Sequence, residues 1–258
     1  MIGSESDEFF MVSYWLTALP VFNESRHLCQ VLDQVLRYSS EVLVVDDGST
    51  DDTHALLSQR GDIRVVAHER NRGYGAALLT AFEYAIEHQF DVLVTIDCDG
   101  QHEPQRISQF VAACENADLV SGSRYLNRFA GDMEPPRERR VINEQLTARL
   151  NQQLGLDLTD AFCGFKAYRV EALKQLQLRE TGYAMPLELW VQAVVHGLRI
   201  IELPVPLIYL EQDRSFGGSL DDANTRLRHY HEVLDRSLQS AWMDGACNVD
   251  VGHCGGAG

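Results

Sequence analysis

Short apolar runs recur along this chain, and each is followed by a polar turn and a helix-period stretch. That alternation is the strongest constraint on its fold. The runs lie at residues 13–19, 41–45, 63–67, 92–96 and 119–123. They are rich in valine and other β-branched residues, and they are short enough to be strands buried on both faces. Between them come stretches with apolar residues on one helical face, such as Leu28, Val31, Leu32, Val35 and Leu36. Strands alternating with helices at this spacing predict an α/β fold, a mostly parallel doubly wound sheet with flanking helices. In such sheets ligands bind at the carboxyl ends of the strands.

Those ends carry the chemistry. The run at 92–96 stops in Asp97-Cys98-Asp99-Gly100-Gln101-His102, with Pro104 suited to the first turn of a helix. Two carboxylates one residue apart repel and raise each other's pKa unless a cation lies between them. A hard divalent ion, Mg²⁺ or Mn²⁺, resolves that repulsion with oxygen ligands. The run at 41–45 ends in a second acidic turn, Asp46-Asp47-Gly48-Ser49-Thr50-Asp51. Glu24 follows the first run, which Pro20 breaks, and Asn23 is read as the cap of the helix after it. Arg124 follows the run at 119–123. One acidic turn is unremarkable; four polar strand ends on one rim of a sheet are not. Asn71-Arg72-Gly73-Tyr74-Gly75 opens a helix, where bare backbone allows close approach and the helix start favours phosphate. A dinucleotide fingerprint needs a third glycine near Leu78 and a place after the first strand, so a nicotinamide site fits poorly.

A formal net charge of -16 excludes nucleic acid as a main partner, because phosphate backbones need a basic face. No window has the ~18 uninterrupted apolar residues of a membrane span, and MIGSESDEFF lacks the basic start of a signal peptide. The expectation is a cytoplasmic protein, peripheral at most at the inner face of the membrane. Six cysteines without CxxC spacing argue against a disulfide framework or a zinc ribbon.

The series ALPVFNES, VLVVDDGSTDDT, NRGYGAA, DCDGQHEP, SGSRY and DAFCGFKAYR resembles the inverting family 2 glycosyltransferases of the GT-A nucleotide-diphospho-sugar transferase fold. It is most similar to their dolichol-phosphate mannosyltransferase and polyprenyl-phosphate glycosyltransferase branch, over roughly residues 14–220. The resemblance implies a UDP- or GDP-sugar donor with Pro20, Glu24, Asp47 and Gly73 at its nucleotide, Glu24 on the ribose and Asp47 on the base. Asp97 and Asp99 form the DxD motif that holds the metal, with Gln101 as a further ligand. Arg124 lies near donor or acceptor phosphates, and Arg139 and Asn143 take the positions that bind an acceptor phosphate. Asp160 is the carboxylate near the reacting sugar, a general base for a hydroxyl acceptor or an orienting group for a phosphate acceptor. Arg214, Gly217 and Ser219 match a segment closing over the donor phosphates, while Leu220 stands where lysine is common. Tyr183-Ala184-Met185-Pro186 departs from the family's GFEFDxEL but keeps Glu188.

The domain reading is an N-terminal extension (1–12), a GT-A catalytic domain (13–220), an amphipathic helix (221–244) and a Gly-rich tail (245–258). The helix can pack on the domain, pair in a homodimer or lie on a membrane, and packing is the simplest. Cys247, His253 and Cys254 in the tail match no common zinc spacing. The function expected is metal-dependent transfer of a hexose from a nucleotide sugar to a polyprenyl phosphate at the membrane surface. The alternatives are a hydroxyl acceptor, a nucleotidyltransferase, and a non-catalytic nucleotide-sugar-binding subunit.

Overall fold

A computed structural model describes residues 14–210 and 217–243. The strands are β1 (Trp15–Val21), β2 (Val42–Asp46), β3 (Arg64–Ala67), β4 (Val92–Thr95), β5 (Leu119–Ser123), β6 (Lys166–Arg169) and β7 (Ile200–Pro204). The helices are α1 (Leu28–Val35), α2 (Thr53–Leu57), α3 (Tyr74–Glu87), α4 (Ile107–Ala113), α5 (Arg137–Leu154), α6 (Val170–Leu173), α7 (Met185–Val195) and α8 (Ala223–Met243). The strands form one seven-stranded sheet in the order β3-β2-β1-β4-β6-β5-β7. All neighbours pair in parallel except β6, which runs antiparallel to both β4 and β5. The order reverses between β1 and β4, and a crevice opens there at the strand ends.

Side chains alternate between two cores, as the two-residue period of a strand requires. Leu43 and Val45 of β2 join the layer made with α3, α5, α7 and α8. Val42 and Val44 join the opposite layer with α1 and α4. Helix α8 belongs to the first layer: Tyr230, Val233, Leu234 and Leu238 are buried in it. Packing on the domain is therefore what the apolar face of α8 does. No helix among the described residues is long and apolar enough to cross a membrane. The four cysteines among them are free thiols, three of them buried.

Several local expectations are corrected. Pro20 does not break β1 but lies inside it, in register with Val45. The Thr17 N–H bonds Glu41 on the β2 side, so Pro20, three residues on, turns its nitrogen toward β4. Pairing with β4 ends at Ala18, and no ladder bond is lost there. Asn23 is not the cap of α1, which starts at Leu28 without a side-chain cap. Instead Asn23 adopts a left-handed φ of 57°, and its Oδ1 accepts the Thr50 N–H at 2.8 Å. Strand β6 begins only at Lys166, and just before it Gly164 turns beneath Asp97, past the end of β4. After β5, residues 127–136 are fastened to the segment after β7. The Met133 N–H bonds Leu207 O at 2.8 Å, and the Leu207 N–H bonds Asp132 Oδ1 at 2.9 Å.

Candidate active site

The crevice widens into a cavity of about 860 Å³, within the range of small-molecule sites. Its wall includes Pro20, Glu24, Asp47, Gly73, Asp97, Asp99, Gln101, Arg124, Arg139 and Asn143, ten of the positions marked in the sequence. Asp160 lies behind the wall, Ser219 sits in the adjoining 3-10 turn (Gly218–Asp221), and Arg214 falls outside the described residues.

The loops after β1 and β2 are fastened together. The Asn23 N–H bonds Ser49 Oγ and the Glu24 N–H bonds Thr53 Oγ1, both at 2.9 Å, leaving Glu24 nearly buried at the cavity edge. Asp47 is more heavily used than its expected part in base recognition requires. Its carboxylate accepts the Arg72 and Gly73 N–H groups at 2.9 and 2.8 Å. His68 Nδ1 lies 2.6 Å from it, and His68 Nε2 is anchored on Thr80. Asp47 thus shapes the turn before α3. The close approach expected at Gly73 is made to protein backbone: a Cβ there would overlap Thr181 O, and φ is 107°.

Asp97 and Asp99 follow β4 at the mouth of the crevice. The Asp97 carboxylate receives the Tyr74 hydroxyl on Oδ1 at 3.0 Å. His102 Nε2 lies 3.3 Å from its Oδ2. Gly164 passes directly beneath, where any Cβ would overlap the carboxylate. Asp99 accepts the Gln101 N–H at 2.9 Å. Two carboxylates and a side-chain amide, all oxygen donors, fit a hard cation that takes its remaining ligands from substrate phosphates and water. Among the described residues no group of three or more His, Cys, Asp or Glu side chains forms a complete protein cage. A buried His102 Nδ1 without a hydrogen-bond partner adds an unused polar atom close by.

Arginines line the same cavity. Arg124 holds Asp160 in a two-pronged pair, Nε to Oδ2 at 2.6 Å and Nη2 to Oδ1 at 2.9 Å. Asn143 Nδ2 adds a bond at 2.7 Å. Asp160 is fully buried. Burial alone would raise its pKa, but the Arg124 charge and these hydrogen bonds hold the carboxyl below its ordinary value. Glu202 braces the same turn, accepting the Thr159 and Asp160 N–H groups at 2.8 and 3.0 Å, and its own burial pushes its carboxyl up. Asn143 is therefore engaged by Asp160, while Arg139 reaches the cavity with its guanidinium 6.0 Å from the Tyr209 ring centre.

The sequence reading passed over several wall residues. Tyr74 stacks on Tyr183, with ring centres 5.5 Å apart and planes 13° apart. Phe162 and Tyr230 form a second stacked pair at 5.3 Å. Arg226 of α8 is buried in the wall; its Nη1 bonds Leu220 O at 2.6 Å and its Nη2 reaches Glu138 at 3.3 Å. Tyr74 and His102 sat inside quoted motifs, so they could have been marked. Arg226 gave no local signal, because only the fold brings α8 to the cavity.

A mixed α/β sheet with an acidic crevice at its switch point is the GT-A fold of nucleotide-sugar transferases. The crystal structure of glucosyl-3-phosphoglycerate synthase from Mycobacterium tuberculosis with Mn²⁺, UDP and glucosyl-3-phosphoglycerate superposes with a TM-score of 0.64 at 22% identity, covering 88% of this chain and 79% of that one. A family model described as Glycosyl transferase family 2 matches residues 17–177. Undecaprenyl-phosphate mannosyltransferase of Micrococcus luteus is 31% identical over 221 residues, 81% of this chain and 90% of its own. Polyprenol monophosphomannose synthase of Mycolicibacterium smegmatis is 32% identical over 202 residues, 74% of this chain and 76% of its own. The chain belongs to glycosyl transferase family 2 and is a glycosyltransferase of the GT-A class.

Proposed function

We propose that this enzyme transfers a hexose from a UDP- or GDP-sugar, with Mg²⁺ or Mn²⁺, by a single inverting displacement at the anomeric carbon. The observation that carries this reading is one cavity that collects Glu24, Asp47, Asp97 and Asp99, after β1, β2 and β4, together with Arg124, Arg139 and Arg226. Asp97, Asp99 and Gln101 would hold the metal. When bound, such an ion acts as a Lewis acid on the leaving diphosphate. Glu24, at the cavity edge, would accept ribose hydroxyls, and Asp47, which fixes the turn before α3, would shape the nucleoside end. Arg124 and Arg139 supply positive charge for a phosphate in the same cavity. Asp160 orients Arg124: a buried carboxylate held by a guanidinium and an amide has little capacity to take a proton.

The acceptor has two readings, each with its own support. Relatives that share about a third of their residues are named for undecaprenyl or polyprenol phosphates. A phosphate acceptor is already anionic and needs no base, which agrees with the paired state of Asp160. A hydroxyl acceptor on a small metabolite is supported by the glucosyl-3-phosphoglycerate synthase likeness. On either reading α8 adds Arg226 to the cavity lining.

The test is donor binding followed by transfer. Thermal stabilisation is screened across UDP-glucose, UDP-GlcNAc and GDP-mannose, with and without Mn²⁺. A ligand at a hundred times its Kd adds ~2.7 kcal/mol, a readily seen shift. Transfer with the selected donor is then assayed on a polyprenyl phosphate in detergent and on water-soluble hydroxyl acceptors. A metal-dependent shift with one donor, then label in one product, supports the reading and identifies the acceptor class. No shift with any donor removes it in favour of a non-catalytic subunit.

A further inference from the structure

We propose that Tyr74 is a positioning residue for the metal site, its hydroxyl setting the orientation of the Asp97 carboxylate. The inference rests on the reading of Asp97 as a metal ligand and adds a residue that reading does not contain.

Asp97 lies just beyond Thr95, the last residue that the β4 ladder fixes, so its side chain needs other restraint. It has three. Tyr74 donates to Oδ1 at 3.0 Å, His102 lies 3.3 Å from Oδ2, and Gly164 closes the space beneath. Of these, Tyr74 is the most firmly mounted. It is the first residue of α3, between two glycines. A Cβ at Gly75 would come within 2.6 Å of Glu180 O, and one at Gly73 would overlap Thr181 O. The missing side chains let residues 180–182 lie directly against the helix start, where the Ala76 N–H bonds Thr181 O at 3.0 Å. The next residue, Tyr183, is thereby brought flat onto the Tyr74 ring. The glycines of this motif thus serve to fix a tyrosine, and the tyrosine reaches the DxD carboxylate 23 residues further along the chain.

The chemistry fits the role. A phenol beside a carboxylate donates its proton to it and occupies one Oδ1 lone pair. Groups that hydrogen-bond a metal ligand restrict its orientation, and their loss typically costs 10–100-fold in metal affinity or activity.

The test is Tyr74→Phe, which keeps the ring and its stacking and removes one oxygen. Mn²⁺ binding is measured from the electron paramagnetic resonance signal of free Mn²⁺, with saturating UDP and with saturating GDP, so the readout needs no turnover. Asp97→Asn is measured alongside. The expected result is loss of Mn²⁺ binding in Asp97→Asn and a Kd raised about tenfold in Tyr74→Phe, with the melting temperature of Tyr74→Phe close to that of the parent. If Asp97→Asn abolishes binding and Tyr74→Phe binds like the parent, Tyr74 has no positioning role, while the metal reading survives. If the parent binds no Mn²⁺, or Asp97→Asn still binds it, the metal reading falls and this inference with it.

Discussion

Asp160→Asn isolates the charge of the buried Arg124–Asp160 pair. The substitution keeps the size of the side chain and removes its negative charge. Arg124 is then left with most of its side chain buried, since only 17% of it is exposed, and its carboxylate partner is fully enclosed. Removing one member of a buried pair costs ~3–5 kcal/mol, because the remaining charge loses its compensation. For a chain of this size each kcal/mol moves the melting temperature by about 2–4 °C, so a drop of about 6–20 °C is expected at neutral pH. The pH dependence supplies a second, independent reading. The folded-state pKa of Asp160 is lowered below 3.8. The pair therefore stabilises the fold fully above the unfolded value, and that contribution is lost as pH falls through the folded value. The gap between parent and variant should be constant from neutral pH to about pH 5 and should close below the unfolded pKa. The assay is thermal unfolding by circular dichroism across a pH series. Equal melting temperatures at pH 7, or a gap that persists unchanged into strong acid, would refute the pairing argument.

Other substitutions test neighbouring parts of the site. Asp99→Ala should abolish metal-dependent turnover with little change in melting temperature; full activity would sink the DxD assignment. Gly164→Ala places a methyl group against the Asp97 carboxylate. It should weaken Mn²⁺ binding without altering the far-ultraviolet circular dichroism spectrum, and unchanged binding would show that the loop beneath Asp97 yields freely. Gly73→Ala combines a φ of 107° with a blocked Cβ position. It should destabilise by ~1–3 kcal/mol in chemical denaturation, with no effect counting against the packing of residues 180–182 on α3. Among the described cysteines, iodoacetamide at pH 8 should label Cys29 and spare Cys98, Cys114 and Cys163 in the native state, as peptide mass spectrometry would show. Burial closes all three and pushes the Cys163 and Cys114 thiols up to about 11 and about 12.

The alternation of strands and helices was legible because buried parallel strands must be apolar throughout, and their polar ends then stand out. That is why Glu24, Asp47, Asp97 and Arg124 could be placed on one rim before any coordinates. The partners of those residues were not legible. Arg124 meets Asp160 across 36 residues and Asp47 meets His68 across 21, and no local pattern encodes such pairs. Glycine was read correctly as a sign of close approach at residues 73 and 75, but glycine does not say what approaches; here it is the chain at 180–182. Pro20 misled for a related reason. Whether a proline breaks a strand depends on which neighbour its nitrogen faces, and that is a property of the sheet.

The antiparallel strand β6 has a consequence for how the protein is made. It occupies the place between β4 and β5, yet it leaves the ribosome more than forty residues after β5 ends. Until it arrives, β4 and β5 have no direct contact across the sheet, and because β7 comes later still, one edge of β4 and both edges of β5 are open to mispairing. Pairing of β4 with β6 spans a long loop and belongs to the slower steps of folding. The turn that precedes β6 carries Asp160 and Gly164, so the two halves of the cavity become one site only when the sheet closes. A nascent chain stalled before residue 166 would present the acidic turns without their supports.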